Sequence, residues 1–141
     1  MNLLPGLKST ASALEAERIR LEVISQNIAN ANTTRTESGG PYQRQVVKFE
    51  TVLGNQMGED SEAVPQSVKI GRIMNASKPP NMVYEPGHPD ANAQGEVAYP
   101  AINIHEEMAD LIAASHAFEA NLAVIRNART MTLQTLSIGK H

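Results

Sequence analysis

The 141-residue chain contains no cysteine and no tryptophan, only two phenylalanines and three tyrosines, and no excess of basic charge. Each shortage excludes something. Without cysteine there are no disulfides, no thiolate nucleophile and no Cys-based zinc site. Aromatic residues are 4% of the chain, and since large aromatics supply much of the burial in ordinary cores, a single compact core would be thin. The net charge is −3 and the 12 Lys and Arg residues form no stripe, so nothing marks an electrostatic footprint for nucleic acid. The N-terminus lacks the basic start and apolar run of a cleavable secretory signal. No run approaches the ~20 apolar residues of a membrane span. The expectation is a chain with no direct membrane insertion, exported, if at all, without a cleaved signal peptide.

What is present is helical periodicity at the two ends. Between Gly6 and Asn30, Leu7, Leu14, Leu21 and Ile28 recur every seven residues, with Ala11, Arg18 and Ser25 between them. That 4-3-4-3 spacing is a heptad seam with one strong and one weak position. Pro5 suits the first turn, and Asn30 and Asn32 suit the end, since Asn tolerates the left-handed conformation at helix C-termini. On the outer face Glu15 and Glu22 flank Arg18 at i,i+3 and i,i+4 spacing. A second pattern runs from Ala101 to Ser137. Ile104, Leu111, Phe118, Ile125 and Thr132 hold one seam position, and Met108, Ser115, Leu122, Arg129 and Leu136 the other. No Gly or Pro interrupts it. Helices of ~25 and ~37 residues far exceed the globular average of ~11–12.

The middle holds seven of the eight prolines. Gln43–Val52 and Val68–Ile73 are predicted strands, the second with weaker alternation; Gly54–Pro65 reads as a polar loop, and Lys78–Asn81 and Pro86–Asp90 as turns or extended segments. The fold class is therefore mainly α: long N- and C-terminal helices forming an antiparallel coiled-coil-like hairpin, with an irregular or small β middle. The divisions are 1–34, 35–100 and 101–141. Both seams contain polar residues, and an alanine face (Ala113, Ala114, Ala117, Ala120, Ala123) remains for other contacts. Helices of this kind gain most of their stability from packing, which points to elements completed by other copies. An ordinary antiparallel hairpin in a monomer is the competing reading.

No constellation of residues in the sequence carries chemistry. His105-Glu106 opens a zincin pattern, but the second His would stand at Ala109. His105 and His116 would lie ~16 Å apart along a helix, too far to share a metal. His88-Pro89-Asp90 supplies two ligands and no others. The carboxylate pairs Glu106/Glu107 and Glu59/Asp60 read as solvated surface rather than acid–base pairs. The glycines make no phosphate loop, and two Asn-x-Ser/Thr matches, at Asn32 and Asn75, are short enough to occur by chance. No enzyme, cofactor or metal is expected.

Four segments, in order, carry a resemblance: Ser25-Gln-Asn-Ile-Ala-Asn-Ala-Asn-Thr33, Pro41-Tyr-Gln-Arg-Gln45, Tyr84 to Pro100, and Thr135-Leu-Ser-Ile-Gly-Lys140. The first, with Asn27, Ile28, Ala29, Asn30, Asn32 and Thr33, resembles the signature of the flagellar rod, hook and hook–filament junction proteins. Together the four resemble the proximal rod members of that family. One departure is Pro100-Ala-Ile-Asn103, where the family reads Pro-Asn-Val-Asn; it removes a possible hydrogen bond where the second helix starts.

The resemblance implies a structural subunit exported through the flagellar type III apparatus into the basal-body rod that crosses the periplasm. Its partners would be copies of itself and other rod proteins, packed through the terminal helices. Leu7, Leu14, Leu21, Ile28, Ile104, Met108, Leu111, Phe118, Leu122, Ile125 and Leu136 are then the candidate packing residues. Asn27 and Asn30 would bond a neighbour's backbone or cap the helix, and Arg18 and Arg129 would pair with a neighbour's acids. A cytoplasmic coiled-coil adaptor or chaperone is the alternative; it explains the heptads but not the proline-rich middle.

Overall fold

The computed structural model describes residues 4–52 and 67–138. The order is α1 (Leu4–Ala29), β1 (Gln45–Val52), β2 (Ser67–Asn75), β3 (Asn81–Tyr84), β4 (Glu96–Tyr99) and α2 (Ile104–Ile138). The fold is mainly α, with two helices of 26 and 35 residues, about 39 and 52 Å long at 1.5 Å per residue. The loop reading of Gly54–Pro65 and the helix stop at Gly139 fall outside the described residues.

α1 ends and α2 begins for local reasons. The expected left-handed Asn does not close α1: no described non-glycine residue has a positive φ. Instead Asn30 folds back, its N–H and its Nδ2 both donating to the Gln26 carbonyl. That satisfies an orphan carbonyl of the last turn. At the start of α2, Asn103 is the N-cap, its Oδ1 accepting from the His105 N–H at 3.1 Å. The helix therefore begins three residues later than its apolar pattern predicts. Ala101, where this chain departs from the family pattern, lies outside the cap, so the cap is intact.

β1 and β2 form one antiparallel pair and β3 and β4 another. The weak alternation in β2 has a cause: the register jumps from Lys48–Arg72 to Phe49–Ile70, leaving Gly71 as the extra residue of a bulge. The second hairpin is absent from the sequence reading because four-residue strands are too short for period-2 alternation to show. Its turn needs Gly95 at φ 78°.

α1 packs against α2 and also against β1 and β2. This third element shifts the buried stripe of α1. Ala16, Val23, Ile24 and Asn27 are buried, as is Ala31 just past the helix end, whereas Leu14, Leu21 and Ile28 are half-buried. At ~100° per residue the two stripes stand roughly 110° apart. Leu7 lies in α1, but its side chain is outside the description. On α2, Leu111, Phe118, Leu122 and Ile125 are half-buried and Ile104, Met108 and Leu136 exposed. Ala114 is buried, while Ala113, Ala120 and Ala123 are exposed. By length and composition α2 is apolar enough to cross a membrane, contrary to the sequence expectation. Its apolarity is diluted through alanines rather than gathered in one run, and in this fold it packs beside α1.

Candidate functional site

The end of α1, the start of β1 and the first turn of α2 meet at one point, and the residue at its centre is Asn27. It is 1% exposed. Its Nδ2 donates to the Gln45 carbonyl at 2.9 Å and to Glu107 Oε2 at 3.0 Å. Its Oδ1 accepts from the Gln45 N–H at 2.9 Å and from the Tyr42 hydroxyl at 3.2 Å. Both donors and both lone pairs of the amide are used. Pairing with the Gln45 N–H and C=O makes the side chain a substitute strand at the first residue of β1.

Glu107 is equally buried, at 1% exposure. This corrects its reading as solvated surface; its neighbour Glu106 is the exposed one. A buried carboxylate is costly unless its charge is met and its lone pairs filled. Three features meet that requirement. Arg44 Nε donates to Oε1, Asn27 occupies Oε2, and the group sits in the first turn of α2, where the helix dipole favours negative charge. Arg44 also stands 3.9 Å from Asp110. Its backbone carbonyl accepts from the Ala76 N–H at 2.7 Å, so the same residue ties the network to the end of β2. Burial, and then the Glu107 charge, push the Tyr42 hydroxyl above its ordinary value.

The residues after α1 continue the junction. Tyr42 N–H donates to the Thr33 carbonyl at 3.0 Å. Thr34 Oγ1 donates to Asp90 at 2.8 Å, and Arg35 stands 3.6 Å from the same carboxylate. Asp90 is thus committed to the chain, and His88 Nδ1 accepts the Asp90 N–H. No group of three metal-ligating side chains occurs among the described residues. Next to the network an open groove of about 350 Å3 runs between α1, β1 and α2, with Val23, Ile24, Val47 and Phe49 as its apolar walls. The arrangement consists of hydrogen bonds and one buried ion pair, and what these do is hold the elements together.

Three of the four recognised segments, 25–33, 41–45 and 84–100, are those that this junction brings together. The family described as "Flagella basal body rod protein" matches residues 7–35, and that described as "Flagellar basal body rod FlgEFG protein C-terminal" matches residues 93–138. Flagellar basal-body rod protein FlgC of Borreliella burgdorferi is 36% identical, the alignment covering 98% of each chain. The Bacillus subtilis FlgC is 35% identical over 99% of this chain and 100% of its own, and the Escherichia coli O157:H7 FlgC 34% over the same shares. The chain belongs to the FlgC family of flagellar basal-body rod proteins. It is a structural subunit of the rod and not an enzyme.

Within this FlgC-family chain the signature residues divide by role. Asn27 works inside its own chain, and its amide has no valence left for a neighbour's backbone. Asn30 closes α1 and accepts from Thr33 Oγ1 at 3.1 Å. Asn32 and Ala29 are exposed and Ile28 half-buried. Arg18 pairs with its own Glu15 at 2.7 Å, a contact that draws the exposed Glu15 carboxyl below its ordinary pKa. Glu107, Arg44 and Tyr42 escape the sequence reading as members of one site, because nothing local distinguishes a buried Glu in a first turn from a solvated one. The one available signal is that Tyr42 and Arg44 lie in the recognised segment 41–45.

Proposed function

We propose that this FlgC-family chain builds the proximal rod by helical assembly through its terminal helices, which pack in coiled-coil fashion against copies of itself and other rod proteins. Residues 1–34 and 101–141 are the axial segments and 35–100 the outward-facing one. The finished rod crosses the periplasm and transmits torque for motility, and the flagellar type III apparatus delivers the subunit.

One observation carries this reading. From residue 119 to 138, α2 has no buried residue, yet Val124, Met131, Leu133, Leu136 and Ile138 are 53–76% exposed. An isolated helix of such exposed apolar residues gains little from water; its cover comes from elsewhere. The half-buried Leu14, Leu21, Ile28, Leu111, Phe118, Leu122 and Ile125, and the exposed Ile104 and Met108, are further packing positions in this reading. Family membership disfavours the cytoplasmic adaptor.

Leu136→Asp tests the reading. Leu136 is 65% exposed, so the purified variant keeps its Tm within about 2 °C, while cells carrying it lose swimming and the variant is missing from isolated basal bodies. Normal incorporation of Leu136→Asp into basal bodies contradicts it.

A further inference from the structure

Burial in this chain is polarised. On α1 the buried residues are Ala16, Val23, Ile24 and Asn27, and on α2 only Glu107 and Ala114. Apart from Ala16, midway along α1, they lie towards one end of the helix pair, where the last turns of α1 meet the first turns of α2. At that end stands the charge-balanced network of Asn27, Arg44 and Glu107. At the other, α2 shows an almost continuous run of exposed residues.

We infer that the Asn27–Arg44–Glu107 network is a latch that closes one end of the helix pair in the single chain, before any other subunit is present, and leaves the distal part of α2 open for assembly. The latch joins three elements through side-chain hydrogen bonds that use both donors and both lone pairs of the Asn27 amide. Asn27 holds β1 by both backbone groups of Gln45 and α2 by Glu107. Arg44 enters from β1's approach and neutralises the same carboxylate. Apolar contact alone specifies helix register loosely, because one leucine substitutes for another one turn along. A buried carboxylate with two fixed donors has one acceptable register, since any slip leaves a charge without partners. The latch thus sets where α2 starts along α1 and how the middle segment hangs from both. The distal helix, with no such constraint, adapts to whichever neighbour covers it.

The latch is a property of the isolated chain; only the identity of the cover on distal α2 rests on the rod reading. Amide hydrogen exchange on the purified full-length chain, alone in solution, therefore tests it separately from assembly. In the wild type, amides of 23–29, 44–47 and 105–114 exchange at least about 100-fold more slowly than those of 123–138. Glu107→Asp keeps the charge but withdraws the carboxylate by one methylene. It erases most of that difference by accelerating exchange in all three latch segments together. Leu133→Ala, on the open part, leaves latch exchange unchanged. Equal exchange along the whole of α2 in the wild type, or wild-type exchange at the latch in Glu107→Asp, overturns the inference.

Discussion

Asn27 Nδ2 lies 3.0 Å from Glu107 Oε2, a contact between two fully buried side chains 80 positions apart in sequence. The amide supplies one of the two donors that the carboxylate receives, and Arg44 supplies the other. Removing either partner leaves a buried polar group unanswered, which is a larger effect than the bond itself contributes.

Glu107→Ala leaves the Arg44 guanidinium with only Asp110, at 3.9 Å, and Asn27 Nδ2 one acceptor short. The expected loss is about 1–3 kcal/mol, read as a lower urea midpoint at unchanged m-value. Arg44→Met with Glu107→Leu removes both charges at similar volume, and the double variant recovers part of that loss. A loss below about 1 kcal/mol for Glu107→Ala would mean that the carboxylate is solvated after all.

Much of the fold is legible in the sequence, for reasons that particular residues make plain. The helices are long, uninterrupted by Gly or Pro, and periodic, so their existence and approximate ends follow from spacing alone. Which side of α1 faces inward does not. The strongest heptad line, Leu14–Leu21–Ile28, is half-covered, while weaker-looking Ala16, Val23 and Asn27 are buried, because the strands also pack on α1 and a heptad pattern registers only a helix partner. Asn27 stands out as part of a signature, but its role requires knowing that Gln45 and Glu107 come to it, and that depends on long-range pairing. Glu107 was hidden by its type: a charged residue at a helix start is ordinarily solvated, and only tertiary contact distinguishes this one.

Tyr42 links the junction to pH. Burial and the Glu107 charge favour its neutral form in the fold, so its pKa is raised above the unfolded value of about 10. A raised pKa contributes stability that is fully present below the unfolded value and lost as pH climbs through the folded one. Between about pH 9 and pH 11 the wild type therefore loses more stability than Tyr42→Phe, which has no hydroxyl to ionise. Denaturant midpoints across that range show it; parallel slopes for the two proteins would place Tyr42 outside the linkage.

Gly95 and Gly39 separate two effects of a side chain at positive φ. Both are left-handed, at 78° and 82°. A Cβ on Gly39 meets open space, whereas one on Gly95 lies 3.0 Å from Tyr84 Cε2 and 3.2 Å from Pro86 Cβ. Gly39→Ala costs about 1–2 kcal/mol from backbone conformation alone. Gly95→Ala costs more, by the displacement of Tyr84 and Pro86. Thermal unfolding of the two variants ranks them, and equal costs would show that the second hairpin yields without strain.

The most direct test of the central claim, that other rod subunits cover the distal part of α2, is photo-crosslinking in assembled basal bodies. Met131, 61% exposed in the single chain, is replaced by a benzophenone-bearing residue, and basal bodies are isolated and irradiated. Covalent adducts to copies of this chain or to other rod proteins, absent when the unassembled protein is irradiated at the same concentration, are the expected result. Efficient incorporation into the rod with no adduct to any rod protein would mean that distal α2 faces solvent in the finished structure, and the packing account would be wrong.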